Sequence, residues 1–172
     1  PATAGQTVPP PVTLPQAAVL RFAHPAAQSH VYIRMPGNRR GDPDYFPLLV
    51  GNYTLGGGGF VSGLMDEVRE KRAYAYSVYS YFMPRKLEGP FQIGLQTKRE
   101  QSAAAVKVVN DVLAGFLKSG PTPSELKAAK QHLVDGLALR LDSNAELLGY
   151  LSVIGFYMPP IEVQRVVNSR RS

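Results

Sequence analysis

The chain has 172 residues, of which 44% are apolar, and a formal net charge of +6, so it is long enough for one domain with a hydrophobic core. It contains no cysteine, which excludes disulfides, thiol nucleophiles and thiolate metal sites and leaves the redox compartment open. No apolar run approaches the ~20 residues that a membrane span requires, and nothing resembles a signal peptide.

The N-terminal residues 1–16 contain five prolines and no hydrophobic period, which predicts an extended linker or arm. We expect residues 17–172 to form a single domain. Because the chain begins with proline and ends on Arg-Arg-Ser, we also expect it to be a fragment of a longer protein. Two strands are predicted next, at residues 17–22 and 30–35, and apolar and polar side chains alternate in the second.

Two helices separated by a run of four glycines are predicted in the middle of the chain. Asp42 is a suitable N-cap and Pro43 a suitable first residue for the first helix, with regular geometry from about Phe46. The glycines should end this helix, since glycine is a poor helix former. The second helix, at about residues 60–71, carries an amphipathic pattern. Its apolar arc consists of Phe60, Val61, Leu64, Met65 and Val68.

The period then changes from helical to extended. Residues 73–82 are rich in tyrosine and valine, and residues 91–97 alternate apolar and polar side chains. Both patterns are typical of strands. The proline- and glycine-containing segment between them predicts an antiparallel hairpin.

Three helices are predicted after the hairpin. The first covers about residues 100–118, with Ala105 and Val109 on its apolar face. Thr122 and Glu125 form a capping box that marks the start of the second helix, and residues 143–146 form another that marks the third. The order of elements, two strands, two helices, two strands and three helices, predicts an α+β fold with helices packed on one face of a largely antiparallel sheet of about 4–6 strands.

The glycine run allows three interpretations. A phosphate cradle is one, since glycine-rich loops before helices bind anions, but the P-loop motif is absent and no strand leads into the glycines. The second is a hinge or an interface at which another chain comes close to the backbone. The third is a plain helix break. The run consists of Gly56, Gly57, Gly58 and Gly59.

No complete catalytic centre is found in the sequence. The three histidines, His24, His30 and His132, lie far apart in the chain, and a catalytic zinc needs about three protein ligands. Neither H-x-x-E-H nor H-E-x-x-H occurs, so we expect no metal site. Ser62 is not in a G-x-S-x-G elbow. Arg69 and Tyr76, seven residues apart, could both donate to one peptide carbonyl, although an arginine near a helix end and a tyrosine in a strand are also ordinary structural residues.

The stretch LGGGGFVSGLMDEVREKRAYAYSV, residues 55–78, resembles the second-half domain of the pitrilysin-type zinc peptidases. This family includes insulin-degrading enzyme, the mitochondrial processing peptidase and bacterial putative zinc proteases. The flanking segments at residues 40–45, 89–91, 122–130 and 143–144 agree, so the resemblance covers about residues 18–160. The chain departs from the family pattern at Gly63, where arginine is more frequent, and at Ala73-Tyr74, where Gly-Leu is frequent.

The resemblance implies two similar α+β halves that face each other, with the zinc motif on the other half. This chain would then be the non-catalytic half of a two-half peptidase, inactive alone, and the zinc would be supplied by the partner half, which activates a zinc-bound water. Arg69 and Tyr76 match the family's substrate-binding pair, and the glycine run would lie near the interface between the halves. If the source is bacterial, the resemblance implies a periplasmic location.

Two other functions are left open. Some relatives serve as structural core subunits without proteolytic activity, and this chain could be one of them. A basic nucleic-acid-binding domain is the third hypothesis, because of the net charge of +6. The basic residues occur as scattered pairs without interleaved aromatics, so we expect a peptide substrate and a zinc-bearing half as partners, and no nucleic acid.

Overall fold

The computed structural model of the chain describes residues 16–139 and 143–157. The predicted arm therefore lies outside the described residues, apart from Gln16. The strands and α-helices, in chain order, are β1 (Gln28–Pro36), α1 (Tyr45–Asn52), β2 (Ala75–Phe82), β3 (Pro90–Lys98), α2 (Ser102–Ser119), α3 (Pro123–Leu139) and α4 (Asn144–Tyr157). Short helical segments of other types occur at Tyr53–Gly57 and Met65–Glu70 (both π-helical), Gly59–Val61 and Arg99–Gln101.

The described strands form one antiparallel sheet in the order β1-β3-β2. The predicted hairpin is confirmed, with Val78 opposite Leu95, and β1 pairs with the other edge of β3, with Ile33 opposite Ile93. The α+β fold with helices on one face is confirmed. The predicted number of strands was too high, since the sheet has three in the described residues.

The strand predicted at residues 17–22 is absent from the described sheet. This segment has no regular secondary structure, and Val19, Leu20 and Phe22 are 82%, 77% and 87% exposed. A strand is stable only when its backbone groups bond to a neighbour. The only strand bonded to β1 in the described sheet is β3, so the apolar residues of 17–22 have no strand to pair with there.

The helical segments before β2 agree with the prediction in part. Helix α1 begins at Tyr45, close to the predicted start of regular geometry near Phe46, but its N-cap is Asp44 rather than Asp42, whose carboxylate accepts a hydrogen bond from the Asp44 N–H at 2.9 Å. The glycines do not end the helical path at residue 56, because a π-helical turn continues to Gly57. Leu64 and Val68 are fully buried, as the amphipathic pattern predicts.

The hydrophobic core lies between the sheet and the helical segments that cover one of its faces. Helix α2 contributes Ala105 and Val109, which were predicted to face inward. Thr122 and Glu125 form the predicted capping box, since the Glu125 N–H donates to Thr122 Oγ1 at 3.3 Å and the Thr122 N–H donates to Glu125 at 2.7 Å. The buried apolar residues of the core are Leu55, Leu64, Met65, Val68, Ala75, Val78, Phe91, Ile93, Leu95, Ala105 and Val109.

Within the described part of the chain, no helix is both long and apolar enough to cross a membrane.

Candidate functional site

Tyr76 is the extra residue of a β-bulge at the start of β2. Ala75 lies opposite Thr97 and Ser77 lies opposite Gln96, so Tyr76 has no partner across the described sheet. A bulge turns the side chain of the extra residue away from the regular alternation. The Tyr76 side chain is accordingly 80% exposed, and its hydroxyl is accessible from outside the domain.

Arg69 approaches this tyrosine from the π-helical segment Met65–Glu70. Its guanidinium carbon lies 5.6 Å from the centroid of the Tyr76 ring, within the range of a cation–π contact. The chain reverses direction between them at Ala73, which has a φ of 52°. The structure therefore brings together the two residues that the sequence selected, a guanidinium and a phenol.

Phe60 is a third member of this cluster, and the sequence reasoning missed it. The Arg69 guanidinium carbon lies 4.8 Å from the Phe60 ring centroid, so the guanidinium contacts two aromatic rings. Phe60 and Val61 were predicted to lie on the buried arc of a helix, which is wrong, because they are 72% and 73% exposed. No periodic signal reveals this, since both residues also fit the apolar arc.

The turn at Gly59–Val61 explains why Phe60 faces outward. Gly59 has a φ of 60°, a conformation that glycine adopts without strain. The buried Ser62 hydroxyl donates to the Gly59 carbonyl at 2.7 Å and closes the turn. The turn interrupts the helical period between the glycine run and Leu64, so Phe60 is presented beside Arg69 instead of the core.

The neighbouring cations are paired with carboxylates. Glu67 accepts hydrogen bonds from Lys71 at 2.6 Å and from Arg72 at 2.5 Å. These bonds, the one from Lys71 first, lower the pKa of the Glu67 carboxyl. Hydrogen bonds to Asp66 and Glu67 raise the pKa of Lys71. Arg69 has a looser contact, 3.5 Å from Glu70, so its guanidinium is the cation that the cluster presents beside Tyr76.

The first three glycines of the run pack against the chain itself. A Cβ on Gly56 would lie 2.4 Å from Ser80 Oγ and 2.7 Å from the Ser80 backbone nitrogen, and Cβ atoms on Gly57 and Gly58 would meet Asn52 and Tyr53. A Cβ on Gly59 would meet nothing within 4 Å. The close approach at Gly56, Gly57 and Gly58 is thus to backbone and side chains of this chain, and the helical path ends within the run, at Gly57. An interface or hinge role for the run stays a prediction.

The residues that the structure describes contain no group of three or more His, Asp or Glu side chains that could hold a metal ion. His24 Nδ1 accepts a hydrogen bond from the Ala26 N–H at 3.2 Å, and the His132 ring lies 5.1 Å from that of Tyr53. These residues do not fit a zinc site. The cluster of Phe60, Arg69 and Tyr76 provides hydrogen-bond donors and apolar contact area, and donors of this kind can polarise a carbonyl group.

Comparison with known proteins places this geometry in context. The family model described as the peptidase M16 inactive domain matches residues 1–133. An uncharacterized zinc protease of Streptomyces coelicolor is 36% identical over 121 residues, which cover 70% of this chain and 26% of that protein. A relative from Helicobacter pylori, named a non-peptidase homolog, is 36% identical over 84 residues, covering 49% of this chain and 19% of that protein.

A solved structure, described as a peptidase M16 inactive domain from Pseudomonas fluorescens, shares the fold with a TM-score of 0.75. It is 44% identical in sequence, and the match covers 83% of this chain and 33% of that chain. The matches therefore span about a fifth to a third of the length of these proteins.

Proposed function

The chain belongs to the family of peptidase M16 inactive domains, and we propose that it forms the substrate-binding, non-catalytic half of a zinc metallopeptidase. In this proposal the zinc and its ligands are supplied by a partner half, either elsewhere on a longer chain or on another subunit. The name zinc protease for the Streptomyces coelicolor relative supports it. So does the chemistry of the exposed cluster, which can bind a peptide group but cannot cleave it.

The observation that carries the proposal is the contact between Arg69 and Tyr76. The guanidinium lies 5.6 Å from the ring centroid of a tyrosine that is 80% exposed. Both groups donate hydrogen bonds. Donors fixed in place around a carbonyl oxygen stabilise the negative charge that develops there during peptide hydrolysis. Arg69 and Tyr76 would act on the scissile carbonyl in this way.

The edge of β2 is the surface on which an extended peptide would lie. β2 is an outer strand of the described sheet, and outer strands bind peptides through backbone hydrogen bonds. Near the middle of the strand, Asn52 Nδ2 already donates to the Ser80 carbonyl at 3.0 Å. The part of the edge next to Tyr76 is therefore the part that we assign to substrate.

The test is hydrolysis by this chain assembled with a zinc-bearing half. Arg69→Ala combined with Tyr76→Phe should lower kcat/KM by about 10²- to 10³-fold, the usual effect of removing oxyanion donors. Arg85→Ala combined with Tyr150→Phe makes the same chemical changes away from the cluster and should leave kcat/KM unchanged. If the first pair of substitutions has no more effect than the second, the role assigned to Arg69 and Tyr76 is wrong.

A structural subunit without proteolytic activity is the second candidate. The relative from Helicobacter pylori that is named a non-peptidase homolog favours it. The parent gene and its neighbours discriminate between the two functions. An H-x-x-E-H motif in an upstream half or an adjacent gene supports the peptidase, whereas its absence from both supports the structural subunit.

A further inference from the structure

The face of the sheet opposite the core carries an ordered set of polar and aromatic side chains. Val31, Ile33, Val78 and Leu95 point toward the helices and the core. Because successive side chains alternate between the two faces of a strand, the residues between them lie on the other face. We call this face the open face. Its three central rows, read across β1, β3 and β2, are His30-Gln96-Ser77, Tyr32-Gly94-Tyr79 and Arg34-Gln92-Tyr81.

Direct contacts fix the last row and its neighbours. Arg34 Nε donates to Gln92 Oε1 at 2.5 Å, and Gln92 Nε2 donates to the Tyr81 hydroxyl at 2.8 Å. The Arg34 guanidinium carbon also lies 5.2 Å from the centroid of the Tyr32 ring. The amide of Gln92, which is only 3% exposed, thus connects a cation on one edge strand to a phenol on the other.

Gly94 leaves room for an aromatic ring on the sheet. A Cβ at this position would lie 2.5 Å from atoms of the Tyr79 ring, so Tyr79 lies across the glycine and stacks on Tyr81 with centroids 5.7 Å apart. Burial, and then the neighbouring Tyr32 and Tyr81 phenols, raise the pKa of Tyr79. The ring is a neutral donor at physiological pH, and Tyr32 beside it is 53% exposed.

The open face is positively charged. The alternate residues of the three strands that form it include Arg34 and Lys98 but no aspartate or glutamate. Tyr79 follows Tyr76 by three residues on β2, a distance of about 10 Å along an extended strand. A peptide held at Tyr76 reaches this face within about three residues of its own extended backbone.

We propose that the open face binds an acidic segment of an extended peptide substrate, with a carboxylate on Arg34 and an apolar or aromatic side chain against the exposed surfaces of Tyr32 and Tyr79. This inference rests on the proposed function, because it assigns the substrate class of the same half. Two features carry it. The cation is held in place by Gln92 and Tyr32 rather than neutralised by a carboxylate on this face, and the tyrosine rings present flat contact area beside it.

The experiment measures binding, by fluorescence anisotropy, of two labelled peptides to the full chain without a zinc-bearing half. One peptide contains Glu-Phe-Glu, and the other has Gln-Phe-Gln in the same sequence. We expect the acidic peptide to bind about two- to fivefold more tightly at low salt, as one exposed charge pair allows, and this preference to shrink as salt screens it. Equal affinities, or no binding of either peptide, would overturn the proposal.

Arg34→Glu and Arg34→Gln should each remove the preference for the acidic peptide, and Tyr32→Thr should weaken binding of both peptides. Lys118→Glu makes the same charge reversal on α2, away from the open face, and should retain the preference. An equal loss in Lys118→Glu and Arg34→Glu would show that only net charge matters and would refute the site. Circular dichroism checks that each variant is folded.

The proposed function and the proposed binding at the open face can be refuted independently of each other. Loss of the peptide preference at Arg34 is measured without hydrolysis, so it does not depend on Arg69 or Tyr76. If the Arg69 and Tyr76 substitutions leave hydrolysis unchanged while Arg34→Glu still removes the preference, the proposed function falls and the binding surface stands. If hydrolysis depends on Arg69 and Tyr76 but both peptides bind equally, the reverse holds.

Discussion

Asn52 and Ser80 are joined by two hydrogen bonds in the core, although 28 residues separate them in the chain. The Ser80 hydroxyl donates to Asn52 Oδ1 at 2.6 Å, and Asn52 Nδ2 donates to the Ser80 carbonyl at 3.0 Å. Both residues are buried. The pair fixes the end of α1 against β2, and with it the start of the glycine run and the turn that carries Phe60.

Asn52→Ala should lower the free energy of unfolding by about 2 kcal/mol, because it leaves a buried hydroxyl and a buried carbonyl without their partner. Ser80→Ala removes one of the two bonds and should cost less. Urea denaturation of the two variants and of the double variant measures their coupling, which we expect to be about 1 kcal/mol. Additive effects would show that the two hydrogen bonds contribute nothing jointly.

Gly56→Ala should destabilise the domain by about 2 kcal/mol or more, since overpacking against an immobile backbone is costly. The new methyl group would lie 2.7 Å from the Ser80 backbone nitrogen. Gly115→Ala is the matched control, because its Cβ would meet nothing within 4 Å. In the interior of α2 it should stabilise by about 0.5–1 kcal/mol. Thermal unfolding measures both, and equal shifts in Tm would contradict the close approach at Gly56.

Phe60→Ala should lower kcat/KM of the assembled peptidase by about three- to fivefold, which corresponds to an exposed cation–π contact. If Arg69 acts on the scissile carbonyl as proposed, the effect should fall on kcat, because the Phe60 ring would orient the guanidinium toward the developing charge. Stability should change little, since Phe60 is 72% exposed.

Two control variants distinguish a specific contact between Phe60 and Arg69 from a general effect of exposed apolar side chains. Val61→Ala shortens an adjacent side chain that is 73% exposed and should leave the kinetics unchanged. Phe60→Trp retains a ring over the guanidinium and should restore most of kcat. A loss of kcat in Val61→Ala as large as in Phe60→Ala would count against a specific contact with Arg69.

The capping box of α3 should stabilise the domain in a pH-dependent way. Hydrogen bonds from the hydroxyl and backbone N–H of Thr122 lower the pKa of the Glu125 carboxyl below its usual 4.5. A group whose pKa is lower in the folded state stabilises above the unfolded pKa, and this contribution is lost as pH falls through the folded value. Wild type should therefore exceed Glu125→Gln in stability near neutral pH by at most about 0.5 kcal/mol, because glutamine retains an acceptor for the cap and solvent screens the exposed carboxylate. The difference should shrink below about pH 4.5; a constant difference in urea denaturation across this range would contradict the assignment.

The local features of the fold could be predicted from the sequence. The hairpin of β2 and β3, the inward faces at Leu64, Val68 and Val109, and the start of α3 at its capping box all depend on residues close together in the chain. Periodicity and cap chemistry report such features directly. The pairing of β1 with β3 joins Gln28 to Lys98, and no local pattern specifies so distant a partner. Residues 17–22 have an apolar pattern typical of a strand, although they pair with no strand of the described sheet.

The candidate site was predictable only in part. Spacing alone did not distinguish Arg69 and Tyr76 from ordinary residues, and the family resemblance selected them. The outward turn at Phe60 depends on the positive φ of Gly59, and the bulge at Tyr76 is a shift of one residue in the sheet register. The turn and the bulge do not alter the hydrophobic pattern of their segments, so hydrophobic periodicity cannot detect them.

The bulge has a consequence for how such a domain can evolve. Tyr76 is bonded to no residue across the described sheet, so the ladder of β2 and β3 places no demand on its side chain. Replacing Tyr76 by a residue without a hydroxyl should therefore change the free energy of unfolding little. If Tyr76 binds substrate as proposed, loss of its phenol would turn a substrate-binding half into a structural one with the same fold.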